Sequence, residues 1–281
     1  MTQPTAILLN DRAILTVHGA DAESFLQGIV SLDVEALQAG DACFGCLLTP
    51  QGKILFDFFM IRDQEGFVID CHKPASEALL KRLTLYKLRA AVSLEIKTDW
   101  AVSAVIDGAI EDTPKSAIVF NDPRLLALGQ RIIGDRQMIE ALSDAAPNPS
   151  LYAVHCIAHC VPSFGTAFGS DEIFPMDVNY DLLNGVNYKK GCFVGQEVSS
   201  RMKRKGDARK RTVLITYEGT PPQSGTDITA GASTLGTIIS TAPQKGLGLV
   251  RLDRWKKATA GGDSVMVNEH GVQITIPDYL K

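Results

Sequence analysis

The sequence predicts an α+β protein that ends in a small β-barrel, and three observations carry that reading. Strand-like runs in the first 150 residues come in pairs around turn signals and are followed by helical stretches, the order of helices laid on one face of an antiparallel sheet. After Arg211 the pattern changes to short strands between Gly/Pro-rich turns, with no long amphipathic helix. At 281 residues and 45% hydrophobic content, the chain is long enough for two or three modules with real cores.

Ala13 to Val17 reads as a strand, and Gly19-Ala20-Asp21 opens a helix through Phe25 and Leu26. Asp21 is the expected N-cap, since its carboxylate can accept from first-turn amides. Cys43 to Leu48 and Lys53 to Arg62 are strands around the turn Thr49-Pro50-Gln51-Gly52, and Phe67 to Cys71 follows the turn Asp63-Gln64-Glu65-Gly66. A helix from Ser76 to Arg89 leads into a strand from Val92 to Ile96, with further strands at Ala101 to Ile106 and Ala117 to Phe120. Pro147-Asn148-Pro149-Ser150 is the clearest break, and Ser150 is the expected cap of a helix reaching Cys160. Beyond Arg211, strands are expected at Thr212 to Tyr217, Leu235 to Ser240, Leu247 to Leu252, Val265 to Val267 and Val272 to Ile276.

The 28 Lys and Arg against 32 Asp and Glu give a net charge of −4, so the whole molecule is not built to coat nucleic acid or anionic membrane. Any basic site must be local. No apolar stretch approaches the roughly 20 residues that span a bilayer. Met1 to Asn10 shows neither a secretory nor a transit pattern, and the six cysteines are thinly and unevenly spread. The expectation is a cytoplasmic protein with reduced thiols.

Candidate chemistry concentrates in Lys190-Gly191-Cys192-Phe193-Val194-Gly195-Gln196-Glu197. Its glycines permit tight turning, and helical character from Gln196 puts Cys192 just ahead of a helix N-terminus. That dipole and the ammonium groups of Lys189 and Lys190 favour thiolate, the form a nucleophile or soft-metal ligand requires. Gln196 and Glu197 add an amide and a carboxylate able to orient a substrate or relay a proton. On spacing alone, a buried cysteine in a structural turn fits as well.

The run Lys-Gly-Cys-Phe-x-Gly-Gln-Glu, followed by Arg201, resembles the signature of the YgfZ-type folate-binding proteins, relatives of the glycine-cleavage aminomethyltransferase that serve iron–sulfur protein assembly or maintenance. Gly19-Ala20-Asp21-Ala22 with Phe25-Leu26-Gln27-Gly28, Leu47-Leu48-Thr49-Pro50-Gln51-Gly52-Lys53 with Asp57-Phe58, Tyr86-x-x-Arg89-x-x-Val92, Phe174-Pro175 and Leu235-Gly236 are similar as well. The resemblance implies ferredoxin-like α+β modules of the aminomethyltransferase fold plus the barrel, around a folate-sized opening. The implied division is 1–47 with 150–205 as a discontinuous first module, 48–149 as a second and 206–281 as the barrel. It further implies tetrahydrofolate held by Asp57, Tyr86, Arg89 and Arg201, with Cys192, Lys190, Gln196 and Glu197 as the reactive group. Implied partners are folate and iron–sulfur assembly or client proteins, with a transient cluster shared through Cys192. Membrane is not a partner, and nucleic acid is disfavoured.

Two departures stand out. The transferase relatives carry paired aspartates where this chain has Phe56-Asp57, which speaks against aminomethyl or methyl transfer. Cys156 and Cys160 stand where arginine and glycine are expected. Cys43-x-x-Cys46 reads as structural, because side chains three apart on a strand face opposite ways. His155 with His159 and Cys156 with Cys160 are helical neighbours at a spacing metals use, but the helix carries no carboxylate and no metal is expected there. Arg201 to Arg211 holds seven basic residues and Asp207. It reads as a solvated hinge, a site for a folate glutamate tail or acidic partner, or the contact of an RNA-modification-associated factor.

Overall fold

The computed structural model describes residues 4–143, 149–205 and 209–281. In chain order the first elements are β1 (Thr5–Leu8), β2 (Arg12–His18), α1 (Ala22–Gln27), β3 (Ala42–Leu48), β4 (Ile54–Arg62) and β5 (Gly66–His72). There follow α2 (Ser76–Lys87), β6 (Ser93–Lys97), β7 (Trp100–Ile106), β8 (Ile118–Asn121), β9 (Gln130–Asp135), α3 (Arg136–Leu142), α4 (Pro149–Ala158) and α5 (Gln196–Lys205). The last part holds β10 (Lys210–Thr216), β11 (Asp227–Ala230), β12 (Ser233–Ala242), β13 (Lys245–Arg251), α6 (Leu252–Ala260), β14 (Val265–Val267), β15 (His270–Gly271) and β16 (Gln273–Thr275).

These strands build three sheets. An antiparallel five-stranded sheet has the order β3-β4-β5-β2-β6, and a four-stranded sheet the order β1-β7-β9-β8. The seven strands after residue 209 form a near-closed barrel in the order β15-β14-β11-β12-β13-β10-β16. The α+β class with ferredoxin-like sheets and a terminal barrel is what the sequence predicts.

One hydrophobic core runs through both sheets and the stretch from Tyr152 to Phe193, with Phe44, Phe58, Phe59 and Tyr180 almost sealed from solvent. Burying each such side chain stabilises by about 1.5–3 kcal/mol relative to exposure. The Phe44 and Tyr180 rings meet edge to face at 4.8 Å, so the irregular stretch after α4 is anchored on the five-stranded sheet. A second cluster, including Val213, Ile215, Ile228 and Ile238, fills the barrel.

Strand pairing redraws the expected module boundaries. A border at 47/48 would cut β3, which pairs with β4 from Ala42 opposite Ile61 to Leu48 opposite Ile54. The five-stranded sheet is instead drawn wholly from residues 12–97. It is the four-stranded sheet that is discontinuous, since β1 pairs antiparallel with β7 across the intervening sheet. Residues 147 and 148 of the expected break, and residues 206–208 at the expected barrel boundary, lie outside the described residues.

Two local expectations also change. Asp21 does not cap α1; its Oδ2 accepts from the Ala91 N–H at 2.7 Å, tying the loop before α1 to the one before β6. The C-terminal part does contain an amphipathic helix, α6, whose Leu252, Trp255 and Ala258 recur every third residue and pack on the barrel core. At nine residues it is too short for a strong periodic signal.

Gly19 shows how closely the first of these loops packs. Its φ is +125°, and a Cβ there would stand 2.1 Å from the Ala91 carbonyl oxygen. Gly19→Ala is therefore expected to lower stability by about 2 kcal/mol or more, read from the urea midpoint; an unchanged midpoint would contradict this packing.

Candidate functional site

The cysteine loop is built from local hydrogen bonds. Asn187 Oδ1 accepts from the backbone N–H groups of Lys189 (2.8 Å) and Lys190 (3.0 Å), turning the chain sharply before Cys192. Lys190 is buried, and its ammonium donates to the carbonyls of Gln27 (2.7 Å), Val30 (2.8 Å) and Leu32 (2.6 Å). Three donors thus meet three acceptors left open beyond the end of α1. Burial lowers the Lys190 pKa to about 8 even so. Phe193 is buried 5.4 Å from the same nitrogen. Gly191 and Cys192, between these two anchors, are exposed, and Cys192 is a free thiol.

Gly195, at φ +78°, closes the loop. A Cβ there would lie 2.4 Å from the Thr49 carbonyl, and one on Gly52 would lie 3.0 Å from Val198 Cβ. The Thr49–Gly52 turn and the start of α5 are therefore in direct contact. Gln196 is half-buried, and Glu197 and Arg201 are exposed along α5. The carboxylate of Glu197 in the first turn complements the positive helix end.

Asp57 occupies a different setting. It lies on β4 opposite Cys46, is buried, and lines a small cavity of about 70 Å³. Arg12, Arg124, Arg131, Phe44, Phe59, Tyr152 and Phe164 share its wall. Asp57 Oδ2 accepts from the Tyr180 hydroxyl at 2.5 Å. Burial pushes the Asp57 carboxyl above its ordinary pKa, against the opposing pull of Arg12, Tyr180 and Arg124. Phe56, the neighbouring residue on the strand, faces the other way and is not part of the wall.

The cavity arginines were not singled out by the sequence. Asp70, wholly buried, accepts from Arg12 Nε (2.6 Å) and from Arg131 Nη1 (2.6 Å). Asp122 accepts from Arg124 through Nε (3.0 Å) and Nη2 (2.7 Å), and the Tyr152 hydroxyl lies 3.0 Å from Arg124 Nη2 and 3.3 Å from Arg131 Nη2. Burial acts to raise the Asp122 pKa, but the two guanidinium groups outweigh it and hold the carboxyl below its usual range. The Arg131 and Arg124 guanidinium carbons stand 3.9 and 4.8 Å from the Phe59 ring centroid. The cavity thus offers stacked aromatic and guanidinium faces, hydrogen-bond donors and two carboxylates, Asp57 and Asp11. Arg12, Arg124 and Arg131 sit on different strands and loops, so no local motif could have grouped them.

The predicted residues fall into separate places. Lys190, Cys192, Gln196, Glu197 and Arg201 share the loop and α5, while Asp57 lies in the cavity. Tyr86 and Arg89 do not line it: Tyr86 is half-buried at the end of α2 beside Arg82, and Arg89 is exposed. Helix α2, which carries Tyr86, packs on β2 and β6. Cys192 is not among the cavity-lining residues either.

Cys43 is half-buried and Cys46 buried, and burial pushes both thiols up to about 12. His155 bonds the Ala127 carbonyl at 2.9 Å and meets His159 edge to face, while Cys156 and Cys160 are buried. Among the described residues no group of three or more His, Cys, Asp or Glu side chains stands where it could hold a metal ion.

The fold, barrel included, is aminomethyltransferase-like. The structure superposes on a crystal structure of the glycine cleavage system aminomethyltransferase T from Bartonella henselae with a TM-score of 0.77. That match covers 99% of this chain and 86% of the other at 15% identity, and shows the fold alone. A family model described as CAF17, C-terminal beta-barrel domain, matches residues 209–281. The chain is 28% identical over 304 residues to the human iron-sulfur cluster assembly factor IBA57, mitochondrial, covering 96% of this chain and 84% of that protein. It is 27% identical over 221 residues to the tRNA-modifying protein YgfZ of Aliivibrio fischeri (strain MJ11), covering 74% and 69%. At family level the chain matches the YgfZ/IBA57 proteins. The expectation of a cytoplasmic protein is corrected, because the human and mouse relatives are mitochondrial. No helix among the described residues is long and apolar enough to cross a membrane.

Two outcomes follow. At about pH 8, iodoacetamide should modify Cys192 rapidly and the five other thiols slowly, since burial raises the pKa of each of those five. Peptide mapping should place the fast adduct at Cys192, and Cys192→Ser should abolish it. The second concerns Asp57, whose raised pKa means that the folded state holds the proton more tightly than the unfolded chain. Stability is therefore lost as pH rises from the ordinary carboxyl range through the folded pKa. Asp57→Asn should melt above the parent at about pH 7.5, with the gain shrinking toward about pH 4; a pH-independent difference would count against this.

Proposed function

We propose that the protein is a folate-binding accessory factor for the assembly or maintenance of iron–sulfur proteins, rather than an aminomethyltransferase. The observation that carries this reading is the buried Asp57 in an aromatic and arginine-lined cavity, on a fold shared at family level with iron–sulfur assembly factors. The cavity's residues fit a reduced folate. Asp57 is suited to accept from the amino and ring N–H groups of a pterin, Phe44 and Phe59 to cover its faces, and the arginines to meet acceptor or carboxylate groups. Tetrahydrofolate, when bound, supplies one-carbon or reducing chemistry.

Cys192 takes the second part. Its exposed thiol suits contact with a partner's sulfur or with cluster iron, and one thiolate is too few for a cluster that takes four ligands. A cluster passing through this protein is cargo, shared with cysteines of an assembly or client protein. Lys190 serves as the clamp that holds the loop, through its three carbonyl bonds.

Anaerobic titration of tetrahydrofolate tests the cavity. Asp57→Ala should weaken binding about tenfold or more, as loss of a charged hydrogen-bond partner does, and Arg89→Ala should stay within about twofold of the parent. Cys192→Ser should bind folate as the parent does, yet fail to restore a cluster-dependent enzyme under oxidative stress. Equal affinity for Asp57→Ala and the parent would reject the cavity, and full recovery with Cys192→Ser would reject the thiol.

A further inference from the structure

Two basic runs far apart in the sequence converge on one surface. Residues 201–211 and 251–257 hold eleven Lys and Arg against two Asp, leaving thirty acids against seventeen cations in the rest of the chain. Pairing of β10 with β13 sets Lys210 opposite Arg251, and the Leu252 N–H donates to the Arg209 carbonyl at 3.1 Å. A shallow groove lined by Lys210, Arg251 and Arg254 continues, through Arg254 and Thr234, into one lined by Lys257. Helix α5 is fastened to the same edge, since Asp181 takes both Lys203 Nζ (3.1 Å) and Arg211 Nη1 (2.6 Å).

The ion pairs of this face, Arg251 with Asp253 and Asp181 with Lys203 and Arg211, leave Arg204, Lys210, Arg254 and Lys257 without a carboxylate partner among the described residues. All four are exposed. Cys192 lies just ahead of α5, and at about 1.5 Å of rise per residue Arg204 stands about 12 Å along the helix from Gln196. The helix that begins just after the thiol thus ends at the basic edge, where Lys203 shares Asp181 with Arg211 next to Lys210.

Resting on the function proposed above, we infer that this strip is a docking surface for a partner protein with an acidic face, which brings a sulfur group of that partner to Cys192. Single-stranded RNA fits less well. The aromatic side chains beside the strip are engaged, with Trp255 packed on the barrel core and Tyr188 half-buried 3.3 Å from the Ser199 hydroxyl, so neither is offered for base stacking. Charges on such a surface act mainly by steering encounter, an effect that salt removes.

Thiol–disulfide exchange reads the steering directly. The probes are two short cysteine peptides, one rich in Glu and one in Lys, each carried as its mixed disulfide with thionitrobenzoate. The Cys192 thiolate attacks the peptide sulfur, a protein–peptide disulfide forms, and thionitrobenzoate leaves with the electron pair of the broken bond. At low salt the acidic peptide should react about tenfold faster than the basic one, and the ratio should approach one at high salt. Charge reversal at Arg204→Glu, Lys210→Glu, Arg254→Glu and Lys257→Glu together should invert the preference while tetrahydrofolate affinity stays unchanged. Equal rates for the two peptides, or a preference that survives the reversal, would overturn the docking surface and leave the cofactor reading standing. Tighter binding of a 20-base-pair RNA duplex than of polyglutamate would assign the strip to nucleic acid, and salt-sensitive dimerisation in sedimentation would assign it to a second copy; either would also overturn it.

Discussion

The cavity depends on one buried carboxylate. Asp70, on β5, takes Arg12 from the neighbouring strand β2 and Arg131 from β9 of the other sheet, both at 2.6 Å. The two sheets share no strand, so this ion triad is their polar join beneath the shared hydrophobic core. Removing one member of such a buried set typically costs about 3–5 kcal/mol, because a charge is left without its partner. Geometry elsewhere follows from it. Arg131 is held over Phe59, Tyr152 of α4 is drawn toward both Arg131 and Arg124, and Asp57 is left facing a cationic wall.

That arrangement separates two kinds of chemistry. The cavity is buried and aromatic, with Asp57, Arg12 and Arg131 held by strands and Arg124 held by Asp122, and therefore positioned before any ligand arrives. The thiol stands outside, on a loop whose flanking residues are buried while its tip is open. One element joins them. Strand β4 carries Asp57, and the Thr49–Gly52 turn at its beginning packs on Gly195 at the foot of the Cys192 loop. Cavity and thiol are thus parts of one frame without being one site.

Much of the frame was legible locally. The β3–β4 hairpin, the α2–β6 sequence and five of the seven barrel strands carry their own turn residues and hydrophobic periods and formed near those signals, while β11 and β15 were not foreseen. The Lys190 to Glu197 run was legible because its glycines and cysteine are contiguous. Asp57 was singled out by resemblance and lines the cavity, whereas Tyr86 and Arg89, singled out by the same resemblance, stand outside it. Strand β1 was missed because its four residues are too few to show alternation. The role of Asp21 was misread because its acceptor serves an amide 70 residues away.

By itself the sequence determined element type, the switch to barrel at its end and the presence of a reactive-looking cysteine, because those depend on residues close together in the chain. Only the tertiary structure decided which sheet each strand joins, that Arg12, Arg124 and Arg131 enclose Asp57, and that Lys190 clamps carbonyls about 160 residues away in the chain. The reason is physical. Desolvation and charge pairing are properties of a place in space, and the groups that share such a place are assembled by pairing between strands that no local pattern specifies.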